Sequence, residues 1–448
     1  MGYNITDGYL ARFRALAADA PDILPVTGAQ RRFLTLRRLS HGVAPIVVPL
    51  YFEFPRGTVE RGRLEEAAAC LAARHPALRM RFDVADTIPV QRLTEPQGFV
   101  REVAAGPGES AADALRRELL AWTAEGPVLR FMLATSDERP EHETLAVVVD
   151  HAACDEQSLG LITDGISRAY REGTTAREAH AETGVRAVDD YRDAVERQLA
   201  VEAAASTPDH LDYWTGRLAG FVPAGPPVAN APSRPENVDD PTGMLRYRRP
   251  GPTDAARTSL FPALLDATAS AVASLPSAPA GRPLDPLLGY PWGGRPLGAA
   301  PVLGCFLNTV LFATDAPADL DYACDRWWDD LDHADTPLDE VLRAARRHGS
   351  AWSGTVGALL TLEDTTRRPP LELGGVEGVE THLRGPALQS PLAVSVSQGE
   401  SDLLVRMGWN RHRVGQTEAH SAFGALRTTL DGHLDPASEA ADHRTPVS

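Results

Sequence analysis

Residues 143–150, Glu-Thr-Leu-Ala-Val-Val-Val-Asp, leave a strand little room to face water. Half-exposed strands alternate apolar and polar side chains, whereas this run has almost no alternation and reads as a strand covered on both faces. His151 and Asp155 follow at once, and from Glu156 to Arg171 the apolar positions Leu159, Ile162, Ile166 and Ala169 step by three and four. That spacing predicts an amphipathic helix, with Gly173 placed to end it. A two-faced strand feeding a helix requires layers on both sides of a sheet. The fold class is therefore α/β, or α+β in layers. His151 and Asp155 fall in the strand-to-helix loop, where a rigid strand end can aim a side chain.

The same rhythm precedes this unit. Residues 28–39 have helical spacing, with Phe33, Leu36 and Leu39 interleaved with Arg31, Arg32, Arg37 and Arg38. "VVPLYFEF" reads as a strand and "GRLEEAAACLAARH" as a helix; "ALRMRFDV" alternates Leu78, Met80 and Phe82 against Arg79 and Arg81, as a strand would. A helical stretch with "DDYRDAVERQLAVEAAA" follows, then the Pro-, Gly- and Asn-rich "FVPAGPPVANAPSRPENVDDPTG", a long loop or linker. A second α/β region spans roughly 255–430, with strands at "CFLNTVLF", "TVGALLTLED", "PLAVSVSQ" and "DLLVRMGWN". "DGHLDPASEAADHRTPVS" reads as a polar tail. At 448 residues the chain is too long for one ordinary core. We set the division at 1–182 and 183–448.

Composition excludes several functions. A formal net charge of −17 opposes general affinity for nucleic acid or anionic lipid. No apolar leader and no 18-residue apolar run are present, so a cytoplasmic protein, off the membrane and monomeric, is expected. Cys70, Cys154, Cys305 and Cys324 are scattered, which argues against a disulfide framework and a structural zinc site. Asp150, His151 and Asp155 lack a second histidine at ligand spacing, so no metal is expected there. The arginines at 31, 32, 37 and 38 form a local basic cluster, read either as a solvated helix face or as a dock for an acidic partner.

"DHAACDEQS" resembles the HHxxxDGxS signature of nonribosomal peptide synthetase condensation domains and their acyltransferase relatives. Further segments are similar to that family's, in its order: "TGAQRRFL", "RHPALRMRF", "YWTGRLAG", "GYPWGGRP" followed by "GCFLNTVLF", "HADTPLDEVLR" and "VRMGWNRHRV". The resemblance covers roughly residues 25–415. It implies two lobes like chloramphenicol acetyltransferase, set in a V-shaped pseudo-dimer with a central tunnel. His151 is then the catalytic or nucleophile-positioning residue, with Asp155 paired to an arginine of the other lobe, Arg295, and Arg79 as the fallback partner. An N-cap role suits Asp155 equally well. Glu156, Ser158, Asn308 and Trp292 are substrate-tunnel candidates, although Trp292 and Trp409 also suit packing and Ser158 a plain helix face. Two positions depart from the pattern: Asp150 stands for the first histidine, as a supporting residue, and Glu156 for the glycine, where it narrows or charges the acceptor side.

The activity that the resemblance implies is condensation in natural-product biosynthesis. An acyl or aminoacyl thioester on a carrier protein's phosphopantetheine is transferred to an amine or hydroxyl, giving an amide or ester. The acceptor is a small molecule or is held on a second carrier. No cofactor is bound by the protein itself. The chain shows no carrier or adenylating segment, so a free-standing enzyme is expected, docked to its carrier through the basic cluster. Two alternatives stay open: a non-catalytic condensation-like module that recruits or gates a partner enzyme, and a coenzyme A-dependent acyltransferase of the same fold. A Cys154–His151 nucleophile pair is chemically possible, but adjacent loop residues seldom meet correctly.

Overall fold

A computed structural model describes residues 4–20, 22–39, 46–123, 126–219, 241–252, 259–276, 287–313, 319–350, 352, 354–385 and 388–435. Two compact units divide the chain. The first comprises residues 1–207, 293–308 and 367–386, and the second comprises 208–292, 309–366 and 387–448. The helix across position 182 is unbroken, running from Ala176 to Ala204, so the compact first unit continues to Thr207 and takes in two later segments.

In the first unit the chain runs α1 (Ile5–Ala17), β1 (Ile23–Leu24), α2 (Gly28–Leu39), β2 (Val47–Pro55), α3 (Arg61–Arg74), β3 (Met80–Ala85), β4 (Ile88–Leu93) and β5 (Val100–Ala104). It continues through α4 (Ala111–Leu120), β6 (Leu129–Thr135), β7 (His142–Asp150), α5 (Glu156–Glu172) and α6 (Ala176–Ala204). The strand over "ALRMRFDV" begins only at Met80. Leu78 lies in a 3-10 turn, Pro76–Arg79, because Pro76 at the turn's start has no N–H to give a ladder.

Strand β7 is buried along eight of its nine residues and sits between β2 and β6 in the unit's mixed sheet. Leu145, Val147 and Val149 join the large core with α3 and α5, while Ala146 and Val148 pack on the other face with Leu115 and Leu119 of α4. Both faces are covered, as the apolar run requires. Fully burying a valine stabilises by about 1.5–3 kcal/mol, so this strand end is held firmly. Helix α5 buries Leu159, Ile162, Ile166 and Ala169 and stops where Gly173 takes a left-handed φ of 68°, which its missing Cβ permits.

The second unit contains α7 (Pro208–Leu218), β8 (Thr242–Pro250), α8 (Leu260–Ala273), β9 (Leu287–Gly293), β10 (Leu307–Ala313), α9 (Leu320–Leu331), α10 (Leu338–Arg347) and β11 (Ala358–Asp364). The short β12 (Glu372–Leu373), β13 (Val376–Glu377) and β14 (Val379–Thr381) return to the first unit, where β14 pairs with β2. β15 (Leu392–Gln398), β16 (Asp402–Asn410) and α11 (Gln416–Leu434) complete the second. Its six-stranded sheet has the order β10-β9-β11-β15-β16-β8. β16 alternates from Asp402 to Trp409, burying Leu403, Val405, Met407 and Trp409. Trp409 is packing: a Cβ on Gly243 would lie 2.0 Å from its ring.

The polar tail begins later than its composition suggests, since α11 continues to Leu434, which remains on its buried stripe. Residues 221–240 of the Pro-rich stretch and 436–448 of the tail lie outside the described residues. No helix among those described is long and apolar enough to cross a membrane.

Candidate active site

The ladder of β7 does not stop at its last residue. The Asp150 N–H donates to the Val128 carbonyl at 2.8 Å, and the His151 N–H to the Ile46 carbonyl at 3.1 Å. His151–Ala153 then forms one 3-10 turn, capped by the Asp150 carboxylate, which accepts from the Ala152 N–H at 3.0 Å. The imidazole is partly buried and stacks on the Phe33 ring of α2, with centroids 4.6 Å apart. Its Nδ1 lies 3.1 Å from the Cys154 carbonyl oxygen. A carbonyl only accepts, so Nδ1 carries the proton of the neutral ring and Nε2 keeps its lone pair. Burial lowers the His151 pKa, against the upward pull of its own and the Cys154 backbone and of Asp150 and Asp155. At neutral pH the ring is an uncharged base.

Asp155 plays both roles that the sequence left open. It is the N-cap of α5, where its Oδ1 accepts from the Ser158 N–H at 3.1 Å in a capping box with Ser158. Its Oδ2 lies 2.6 Å from Arg295 Nη1 and 3.0 Å from the Phe306 N–H. Both groups of the ion pair are nearly buried, with side-chain exposures of 6% for Asp155 and 10% for Arg295. The expected pair is present. However, the segment carrying Arg295 belongs to the same compact unit as Asp155 rather than to another lobe. Arg79 takes no part in it and donates to the Thr94 carbonyl instead. With its oxygens so engaged, Asp155 is not free to orient an imidazole.

Other candidate residues fare differently. Ser158 is fully buried: its hydroxyl donates to Asp155 Oδ1 at 2.8 Å and accepts from Arg295 Nη2 at 3.0 Å and the Gly304 N–H at 3.2 Å. It is a hub holding the loop and has no face left for a substrate. Glu156 is exposed as the first residue of α5, where its charge suits the helix N-terminus. Asn308 is half-buried near the start of β10, and Trp292, 37% exposed, lies in β9 of the second unit. The Cys154 thiol is pushed well up by burial and by Asp155, and it faces the Asp155 carbonyl at 3.5 Å. It supplies no thiolate to His151.

The four arginines of α2 do not form one patch. Arg31 is buried and meets Glu202 of α6 at 3.3 Å and Thr6 at 3.0 Å. It is an interior cation, which corrects its reading as a docking residue. Arg37 reaches Asp150 at 2.6 Å. Arg32 is half-buried, and Arg38 is exposed. Arg37, Arg38, Arg79, Arg81 and Asp150 line a cavity of about 560 Å³. Sequence reading missed Phe33 as a site residue and gave Arg37 a docking role only, not its pairing with Asp150. Their spacing of four along a helix was visible, but what they face was not.

Comparison with known proteins bears on the fold and the family. The chain is 29% identical over 369 residues to a probable non-canonical nonribosomal peptide synthetase, CymA, of Salinispora arenicola. That match covers 77% of the chain but only 5% of the synthetase. Among solved structures, the first condensation domain of the CDA synthetase superposes with a TM-score of 0.68 at 17% identity, covering 93% of this chain and 97% of that one. The X-domain in its complex with OxyB from teicoplanin biosynthesis superposes with a TM-score of 0.62 at 17% identity, covering 93% and 94%. These likenesses carry the fold. The condensation domain profile itself matches residues 20–243, which contain the loop of His151 and the helix that packs on it, and on that match the chain belongs to the condensation domain family.

Proposed function

We propose that this chain joins a carrier-bound acyl or aminoacyl thioester to an amine or hydroxyl acceptor, with His151 as the base. The observation that carries the proposal is the tautomer: the Cys154 carbonyl fixes the proton on Nδ1 and burial keeps the ring neutral. Nε2 takes the proton of the attacking N–H or O–H as the new C–N or C–O bond forms. The C–S bond then breaks, and that proton goes to the departing thiolate. Such base catalysis contributes roughly 10² to 10⁴ in rate. Asp155 and Arg295 hold the loop, and Arg38, exposed on α2, is the arginine of the basic cluster that we assign to a carrier. The phosphopantetheine arm is substrate, brought by the carrier.

One observation favours a second reading, a module that recruits a partner enzyme. Glu156 puts a carboxylate where the family pattern has glycine, and a similar fold, the X-domain, is seen in complex with OxyB. The test follows acyl transfer from a loaded carrier protein by mass spectrometry, with coenzyme A thioesters as a parallel donor. His151→Ala should slow transfer by about 10² or more while leaving the fold intact. Equal measurable rates for wild type and variant would remove His151 as the base, and a wild type that transfers nothing would move the chain to the recruiting class.

A further inference from the structure

Three side chains of α2 stand at i, i+3 and i+7, the spacing of one helical stripe. Each meets a successive residue of the turn that carries the imidazole, in reverse order. Gln30 Nε2 donates to the Ala152 carbonyl at 2.8 Å. Phe33 stacks on the His151 ring at 4.6 Å. Arg37 Nη2 lies 2.6 and 2.8 Å from the two oxygens of Asp150. The stripe is anchored behind. Thr27 and Gln30 exchange bonds in capping-box fashion, with the Thr27 N–H donating to Gln30 Oε1 at 2.9 Å and the Gln30 N–H to Thr27 Oγ1 at 3.3 Å. Glu202 accepts from the Gly28 N–H at 2.9 Å, so the first turn of the helix is pinned to α6.

The geometry points to α2 as a clamp that sets the position and the electrostatic surroundings of His151, with Arg37 and Asp150 as a matched pair of positioning residues. This inference rests on the reading of His151 as the base. It also accounts for the departure at Asp150. A carboxylate 3% exposed beside the imidazole is tolerable because a guanidinium closes on it, and a buried carboxylate stripped of its partner is strongly destabilising. With Arg37 in place, Asp150 can cap the turn through the Ala152 N–H without imposing a full negative charge on the ring.

Asp150 and Asp155 both favour the protonated form of the His151 ring, Arg37 offsets the first and Arg295 the second, and Arg130 also feels the Asp150 charge. The experiment compares wild type, Arg37→Met, Asp150→Asn and the double variant. Two readouts are used: NMR titration of the His151 ring, and steady-state transfer from the loaded carrier. Arg37→Met should move the ring's titration midpoint up, because Asp150 is left unbalanced. Asp150→Asn should move it down, and the double variant should return close to wild type. Each single variant should lower kcat by about tenfold or more with little change in KM, and the double variant should recover part of that loss. A midpoint that is the same in all four proteins, or a double variant no closer to wild type than either single one, would overturn the clamp. Since the titration needs no turnover, a wild type inert in transfer would sink the catalytic reading while leaving the clamp decided on its own evidence.

Discussion

An imidazole serves as a base near neutrality only if one nitrogen is reliably unprotonated, and here a single backbone oxygen settles which one. The Cys154 carbonyl that receives Nδ1–H belongs to a turn whose next residue, Asp155, is tied to Arg295. Arg295→Ala removes the guanidinium from a carboxylate 6% exposed, and it also takes a donor from Ser158. Stability should fall by about 3 kcal/mol, measured by denaturant unfolding. Transfer should fall with it, because the turn holding the tautomer loses its brace. Arg295→Lys should recover only part of the loss, since an ammonium cannot reach Asp155, Ser158 and the Val302 carbonyl as one planar fork does. Unchanged stability in the alanine variant would mean that the remaining Ser158 and Phe306 bonds satisfy Asp155 alone. The motif order made His151, Asp155 and Arg295 legible in the sequence. Arg31 was not, because what makes it an interior cation is a glutamate 171 positions away.

At the scale of elements, patterns confined to one segment were readable and those that depend on a partner segment were not. The two-faced β7, the stripe of α5 and its glycine stop follow from local periodicity, and the structure places them where the spacing predicts. The grip of α2 on the turn was hidden, since Arg37 and Asp150 lie 113 residues apart and neither announces the other. Glu156 is the element-scale test of the site's second departure. It occupies the first position of α5, stabilising the helix N-terminus by its charge while standing one residue past the Asp155 cap. Glu156→Gly should cost about 1 kcal/mol or less in stability, through lost helix propensity and lost dipole pairing. In a panel of competing amine and alcohol acceptors it should broaden the products formed, as a side chain leaves the acceptor side. A product distribution identical to wild type would show that Glu156 does not select the acceptor.

Across the whole molecule, burial lowers the pKa of His75 and His151 in the first compact unit and of His333 in the second. His75 ends α3 just before the Pro76 turn, and burial, with Arg74 and Arg168 nearby, lowers its pKa from 6.5 to about 4. His151 shifts in the same direction for the same first cause. A base whose folded pKa is depressed binds fewer protons folded than unfolded between those two values, so unfolding takes up a proton there. The stability that His75 contributes is therefore complete above about pH 6.5 and declines as pH falls toward about 4. For His75 the full loss is about 3 kcal/mol, of which about 2 kcal/mol has gone by about pH 5. His75→Gln keeps a polar side chain of similar length but cannot titrate. Unfolding free energies of wild type and variant, taken at about pH 7 and about pH 5, cancel the contribution of every other group that titrates alike in both. The variant should lose about 2 kcal/mol less than wild type across that interval, even if it begins less stable. Equal losses in the two proteins would locate the acid sensitivity elsewhere and leave His75 as ordinary packing between α3 and its turn.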